Sequence, residues 1–244
     1  INWAKKDNYA QTRTMPKFSI NTEDPSRWVP TPPDYMDGIE PNWAKMRTLV
    51  LDSSSMFKPK APTEFSLEKD SKFYQELIEV YETVNEARDR GDESEMVEIA
   101  KFWDCNPYVS THKGHMMFAT KKITPGAHWI LINKIVAKQE NLNFAETAKT
   151  YAMLCIGVYE AFISSWDEKY RSNLIRPETL INEYVDEQWT PILQTPPFPE
   201  HTSGHSVVSG ASAVIMTHLY GDNYHFEDTT ELPYGLPARR FNSF

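Results

Sequence analysis

Cysteine is nearly absent from this chain: two in 244 residues, Cys105 and Cys155. That permits one disulfide at most and no CxxC metal pair, so thiol chemistry does not lead the reading. Positive charge is also short, with 25 Lys and Arg against 34 Asp and Glu for a net charge of −9. Nucleic acid and anionic membrane surfaces are therefore poor general partners. No run reaches the ~18 uncharged apolar residues of a membrane span. The richest stretch, Tyr151 to Ile163, is interrupted by Glu160. The opening Ile1-Asn2-Trp3 has neither an initiator Met nor a signal-peptide pattern, which reads as a mature or trimmed start. What is plentiful is apolar material, 40% hydrophobic and 13% aromatic, enough for a substantial core and against disorder.

Glycine is scarce as well, nine against 17 prolines, and the prolines cluster. From Pro16 to Pro41 they recur too often for a continuous helix or a central strand. Residues 1–64 are expected to form an extended, Pro-rich wrapping segment with a short helix, and residues 65–244 a helical domain. Helical periodicity runs from Phe65 to Arg90, closed by Gly91, and from Asp92, the candidate N-cap, to Trp103. It returns over Pro125 to Lys138, Asn143 to about Arg176, Pro177 to Asp186 and Ser206 to Tyr220. The fourth of these is apolar on nearly every side, as a helix buried among helices must be. Strand alternation is scarce. The fold class expected is all-α, a helical bundle with long irregular surface segments. A second proline cluster, Pro191, Pro196, Pro197 and Pro199, should act as a stiff loop that fixes where the next helix begins.

Two constellations stand out. Lys169 and Arg176 are seven residues apart, within about 20° of two full helical turns, so both cations should leave one face. Pro177 should end that helix at Arg176 and free the guanidinium. A lone pair of this kind is usually a solvated face, but these cations follow the most apolar helix, beside Trp166 and Asp167, where desolvated charge needs a partner. The second constellation is Pro199-Glu-His-Thr-Ser203-Gly204-His205. Ser203 has the chemistry of an N-cap, Gly204 admits close backbone approach, and the amides that follow form an anion site in outline. His205 falls on the first turn, where the helix dipole favours the neutral base. His201, His218 and His225 are less well placed. His112 and His115 have metal-like spacing without a third ligand and read as a loop or surface pair.

Lys-x6-Arg-Pro followed by Pro-x3-Ser-Gly-His resembles the first two signature motifs of the vanadium-dependent haloperoxidases and of their relatives, the type-2 phosphatidic acid phosphatases and bacterial acid phosphatases. The matching residues are Lys169, Arg176 and Pro177, then Pro199, Ser203, Gly204 and His205. The stretches around Trp166-Asp167 and Phe198-Pro199 are most similar to the bacterial branch that contains the iodoperoxidases. There, aromatic residues corresponding to Tyr108, Trp166 and Phe198 would lie close to the cofactor, with Asp167 beside them. The family's third motif, Ser-Arg-x5-His-x3-Asp, has no counterpart. After Gly221 the sequence holds only His225 and no Ser-Arg, so the axial His ligand to vanadium is not in this chain. Arg240-Phe241-Asn242-Ser243-Phe244 resembles the lead-in to that motif, and the expectation is a chain that stops short of it.

The resemblance implies vanadate as prosthetic group, in a site that phosphate could share, with hydrogen peroxide as oxidant and a halide, iodide by preference, oxidised to a hypohalous species. Lys169, Arg176, Ser203, Gly204 and His205 would hold the oxyanion, with His205 and Lys169 catalytic. Alternatives are a phosphomonoesterase in the same pocket, and a non-catalytic oxyanion-binding module if the chain ends at Phe244. A homo-oligomer stays open. Family habit and the absent signal point to an exported protein, periplasmic or extracellular.

Overall fold

The computed structural model describes all residues except 93, 106–109, 114–115 and 120–121. Helix α1 (Tyr9–Thr12) opens the chain, and a long irregular segment then leads to α2 (Lys72–Asp89) and α3 (Glu95–Phe102). Strands β1 (Ser110–Lys113) and β2 (Met116–Ala119) form an antiparallel hairpin, with Ser110 opposite Ala119. Helices α4 (Pro125–Gln139), α5 (Phe144–Ser172), α6 (Pro177–Tyr184) and α7 (Gly204–Tyr220) follow. The short antiparallel pair β3 (Phe226–Asp228) and β4 (Arg239–Phe241) comes last. The architecture is therefore all-α with two small hairpins. Among the described residues, no helix is long and apolar enough to cross a membrane.

Helix α5 is the axis of the molecule. It starts with a capping box, in which Asn143 Oδ1 accepts from Glu146 N at 3.1 Å and Asn143 N donates to Glu146 Oε2 at 2.9 Å. Leu154, Val158 and Ala161 from α5 pack with Trp129, Ile132 and Val136 from α4 and with Val208 and Met216 from α7 in one buried cluster. The Trp129 indole also donates to Ser209 Oγ at 2.9 Å, tying α4 to α7. A second cluster joins Phe73 and Leu77 of α2 to Leu180 and Ile181 of α6, with Ile175 and Trp189.

Three boundaries differ from the sequence expectation. Helix α2 starts at Lys72 rather than Phe65, because Ser71 Oγ caps it by accepting from Tyr74 N at 3.1 Å. Phe65 packs on Phe73 from outside the helix, which is how it lent itself to the helical period. Ser94, not Asp92, is the N-cap of α3; the Asp92 side chain is 95% exposed. Helix α5 ends at Ser172 instead of near Arg176. Asn173 takes the left-handed conformation (φ 49°), a backbone state that Asn tolerates better than most side chains, and its amide closes on Lys169 O at 2.9 Å. The chain beyond pairs with the Pro-rich segment: Trp28 N donates to Asn173 O at 3.0 Å and Ile175 N to Ser26 O at 2.9 Å. Backbone partners supplied by a distant segment replaced those of a further helical turn.

The Pro-rich segment also reaches the second proline cluster. Ile39 N donates to Pro197 O at 3.0 Å, while Ile39 O accepts from the Trp166 indole at 3.1 Å and the Tyr170 hydroxyl at 2.6 Å. The loop from Pro196 to Glu200 is thereby fixed between α5 and the wrap, with Glu200 N bonded to Leu174 O at 3.0 Å.

Candidate active site

Because α5 ends early, Lys169 and Arg176 do not share a helix face. They meet all the same. Lys169 stands in the last turn of α5, and Arg176 is the extended residue before Pro177 at the start of α6. Both cations lie over the Phe198 ring, at 4.7 and 5.0 Å from its centroid. The carbonyls of the proline loop draw them in. Lys169 Nζ donates to Pro199 O at 3.0 Å and Glu200 O at 3.1 Å, and Arg176 Nε donates to Phe198 O at 2.7 Å. Arg176 Nη1 pairs with Glu200 Oε2 at 2.6 Å. Glu200 is a contact of this cluster that the sequence reading passed over, although it follows Pro199 directly in the motif.

Helix α7 begins against this cluster. Ser203 Oγ accepts from Ser206 N at 3.2 Å as N-cap, which leaves its hydroxyl proton free to donate elsewhere. A side chain at Gly204 would lie 3.5 Å from Trp166 and 3.9 Å from Lys169 Cε, so the helix start sits directly on the lysine stem. Lys169, Arg176, Ser203, Gly204 and His205 line one cavity of about 210 Å³, together with Trp166, Phe198, Phe162, Trp43 and Cys105. Trp43, Phe162 and Cys105 carried no motif signal; only the tertiary fold delivers them. On its other side His205 borders a wider cleft of about 780 Å³ walled by Trp103, Phe241 and Phe244. Asp167 is not in the cavity wall: it accepts from Ser54 Oγ at 3.2 Å and pairs with Arg171 at 3.4 Å. Two residues from Lys169 on a helix, it faces away. Tyr108 and His115 lie outside the described residues. His225 hydrogen-bonds Asn242 at 2.9 Å on the surface.

Two atoms show what the cavity is built to take. Arg176 Nη2 and His205 Nε2 are buried and have no hydrogen-bond partner among the described residues. His205 lines the cavity, and Nε2 is its buried, unpartnered nitrogen. Lys169, 1% exposed, uses two of its three donors on carbonyls. Burial first, then the Arg176 charge, lowers its pKa from 10.5 to about 7, with Glu200 pulling back. Burial likewise lowers the His205 pKa, against the opposing pull of the Trp103 backbone and Asp104. The unsatisfied guanidinium N–H of Arg176 beside the start of a helix is costly by itself and complementary to a small tetrahedral oxyanion, and the Nε2 lone pair of His205 can accept from a hydroxyl of that anion. The residues present therefore fit vanadate or phosphate.

The family model of the VCPO second helical-bundle domain matches residues 183–240. No curated protein matches the sequence. The fold superposes on the crystal structure of the first bacterial vanadium-dependent iodoperoxidase with a TM-score of 0.93 and 59% identity, covering 99% of this chain and 56% of that one. This chain thus spans little more than half the length of that relative. An apo bacterial vanadium-dependent chloroperoxidase aligns with a TM-score of 0.49 and 13% identity over 91% of this chain and 55% of that one. With 59% identity along nearly its whole length, and a similar helical fold around the two motifs, the chain resembles the bacterial vanadium-dependent haloperoxidases.

Proposed function

We propose that this chain carries the vanadate-holding half of a haloperoxidase that oxidises a halide with hydrogen peroxide. The observation that carries the proposal is the convergence of Lys169, Arg176 and the first turn of α7 on one cavity, with Arg176 Nη2 and His205 Nε2 buried and unpartnered. Lys169 and Arg176 would neutralise the charge of bound vanadate, while the Ser203 hydroxyl and the Gly204 amide would hold it at the helix start. When bound, vanadate supplies a Lewis-acidic centre that activates the oxidant without changing its own oxidation state. Neutral His205 accepts a proton at Nε2 from hydrogen peroxide and returns it to the oxygen that leaves as water. With Nε2 buried and unpartnered, a neutral ring can turn its lone pair toward the cavity as a base. Trp166, Phe198 and Phe162 keep water from the pocket, which strengthens each of these electrostatic contacts. In sum, the halide loses two electrons, peroxide is reduced to water, and hypohalous acid forms once a proton is taken up.

Iodide is the first halide to try, because the 59% identical relative is an iodoperoxidase. Incubating the protein with orthovanadate, hydrogen peroxide and iodide should give triiodide only when vanadate is present. Arg176→Ala should abolish it and reduce vanadate affinity by roughly 10-fold or more, the worth of one charge-assisted contact. Turnover of a chromogenic phosphate ester that vanadate inhibits, with no triiodide, would make the pocket a phosphatase instead.

A further inference from the structure

A second polar cluster adjoins the oxyanion cavity, and the proposed chemistry leaves it unused. Cys105, in the loop after α3, His128, in the first turns of α4, and Glu231, just after β3, are all buried, and one ligand atom from each lies within 4.8 Å of the others. Cys105 Sγ is 3.5 Å from His128 Nδ1, and Glu231 Oε1 is 3.9 Å from the same nitrogen. On its far side His128 Nε2 is 2.8 Å from Asp228 Oδ2 and 2.9 Å from Thr230 Oγ1. Asp228 is held in turn by Thr230 N at 2.9 Å. The ring is stacked on Trp103 at 4.7 Å.

This arrangement has a definite electronic sense. A buried carboxylate on Nε2 fixes the proton there, as in the carboxylate–histidine–metal pattern, and turns the Nδ1 lone pair toward Cys105 and Glu231. Glu231 Oε1 has no hydrogen-bond partner among the described residues although the residue is 5% exposed. A lone pair, a carboxylate oxygen and a sulfur thus face one another in the interior. A plain thiol-to-imidazole hydrogen bond would account for Cys105 and His128 and leave Glu231 stranded. A cation at the centre accounts for all three. Zinc bonds of about 2.3 Å to sulfur and 2.0 Å to nitrogen at a tetrahedral angle put those atoms about 3.5 Å apart. The thiolate and one carboxylate also balance a divalent charge, and the mixed sulfur, nitrogen and oxygen set suits zinc better than calcium or magnesium.

We propose that Cys105, His128 and Glu231 bind one zinc(II) ion, with Asp228 orienting His128 from behind. The ion pins three segments distant in sequence beneath the oxyanion cavity, and its fourth position is left for a water or another oxygen.

Protein purified without chelators or metal-affinity resin should carry about one zinc per chain by elemental mass spectrometry. Cobalt(II) in its place should give intense visible bands of a tetrahedral centre and a thiolate-to-cobalt charge-transfer band. Cys105→Ser should remove the charge-transfer band, and Asp228→Asn should weaken zinc binding about 10- to 100-fold. Folded wild-type protein that takes up neither metal overturns the proposal, as does a metal site whose cobalt spectrum survives Cys105→Ser. The wild-type cobalt spectrum needs no substitution, so a variant that fails to fold leaves the test intact, and no vanadate or halide turnover enters it.

Discussion

At the scale of single residues, Lys169 is the most exacting case. Its ammonium is buried beside Arg176, and its pKa falls from 10.5 to about 7. Between those two values the unfolded chain holds a proton that the ligand-free folded chain has released. Stability therefore rises with pH across that window and is lost again as pH falls through the folded pKa, where Lys169 must carry its charge in the interior. The effect is bounded at about 5 kcal/mol. Denaturant midpoints at the two ends of the window should show the slope in wild type and not in Lys169→Met. A bound dianion reverses the preference and restores the proton. Sulfate binding near pH 8, followed by calorimetry in two buffers of different ionisation enthalpy, should show about one proton taken up in wild type and fewer in Lys169→Met. No proton uptake would contradict the placement of Lys169 against the anion. Residue identities were legible because Lys, Arg, Ser-Gly and His carry distinctive chemistry at motif spacing. Trp43 and Cys105 were not, since an indole and a thiol with no motif neighbours look like any others, and Glu200, though inside the motif, stands at one of its variable positions.

At the scale of elements, boundaries set by local hydrogen bonds were legible and those set by contacts between distant segments were not. Ser203 and Asn143 cap α7 and α5 through local hydrogen bonds, which depend only on neighbouring residues. The end of α5 depended on Ser26 and Trp28, nearly 150 positions away, and no periodicity could report that. Close helix contacts follow the same logic. A Cβ at Gly126 in α4 would stand 2.7 Å from Val158 Cγ1 and 3.3 Å from Phe162. Val158 is β-branched and buried, so it has little room to move aside. Gly126→Ala gains up to about 1 kcal/mol of helix propensity but meets about 1–3 kcal/mol of overpacking. We expect a net loss of stability on chemical denaturation, and weaker oxyanion binding because Phe162 lines the cavity. A stabilised Gly126→Ala protein would show that the α4–α5 contact is looser than described.

At the scale of the whole molecule, the Pro-rich wrap couples the periphery to the site. Trp28 is fully buried, and Ile39 bonds both α5 and the proline loop that positions Lys169 and Arg176. Trp28→Ala should cost about 3–5 kcal/mol, as expected for a buried indole. It should also raise amide exchange between residues 196 and 204 more than in the α4, α5 and α7 core. Equal protection in that loop would mean the wrap stabilises the fold without governing the site.

The sequence by itself determined the helical class and the capping of α7 by Ser203, and singled out the residues proposed to hold the oxyanion, because each rests on local periodicity, local hydrogen bonds or motif spacing. Only the tertiary structure decided that Lys169 and Arg176 meet from different elements, that the wrap ends α5 at Ser172, and that Cys105, His128 and Glu231 come together. Those outcomes are set by contacts between distant segments, whose free energy belongs to the packed chain and to no stretch of it alone.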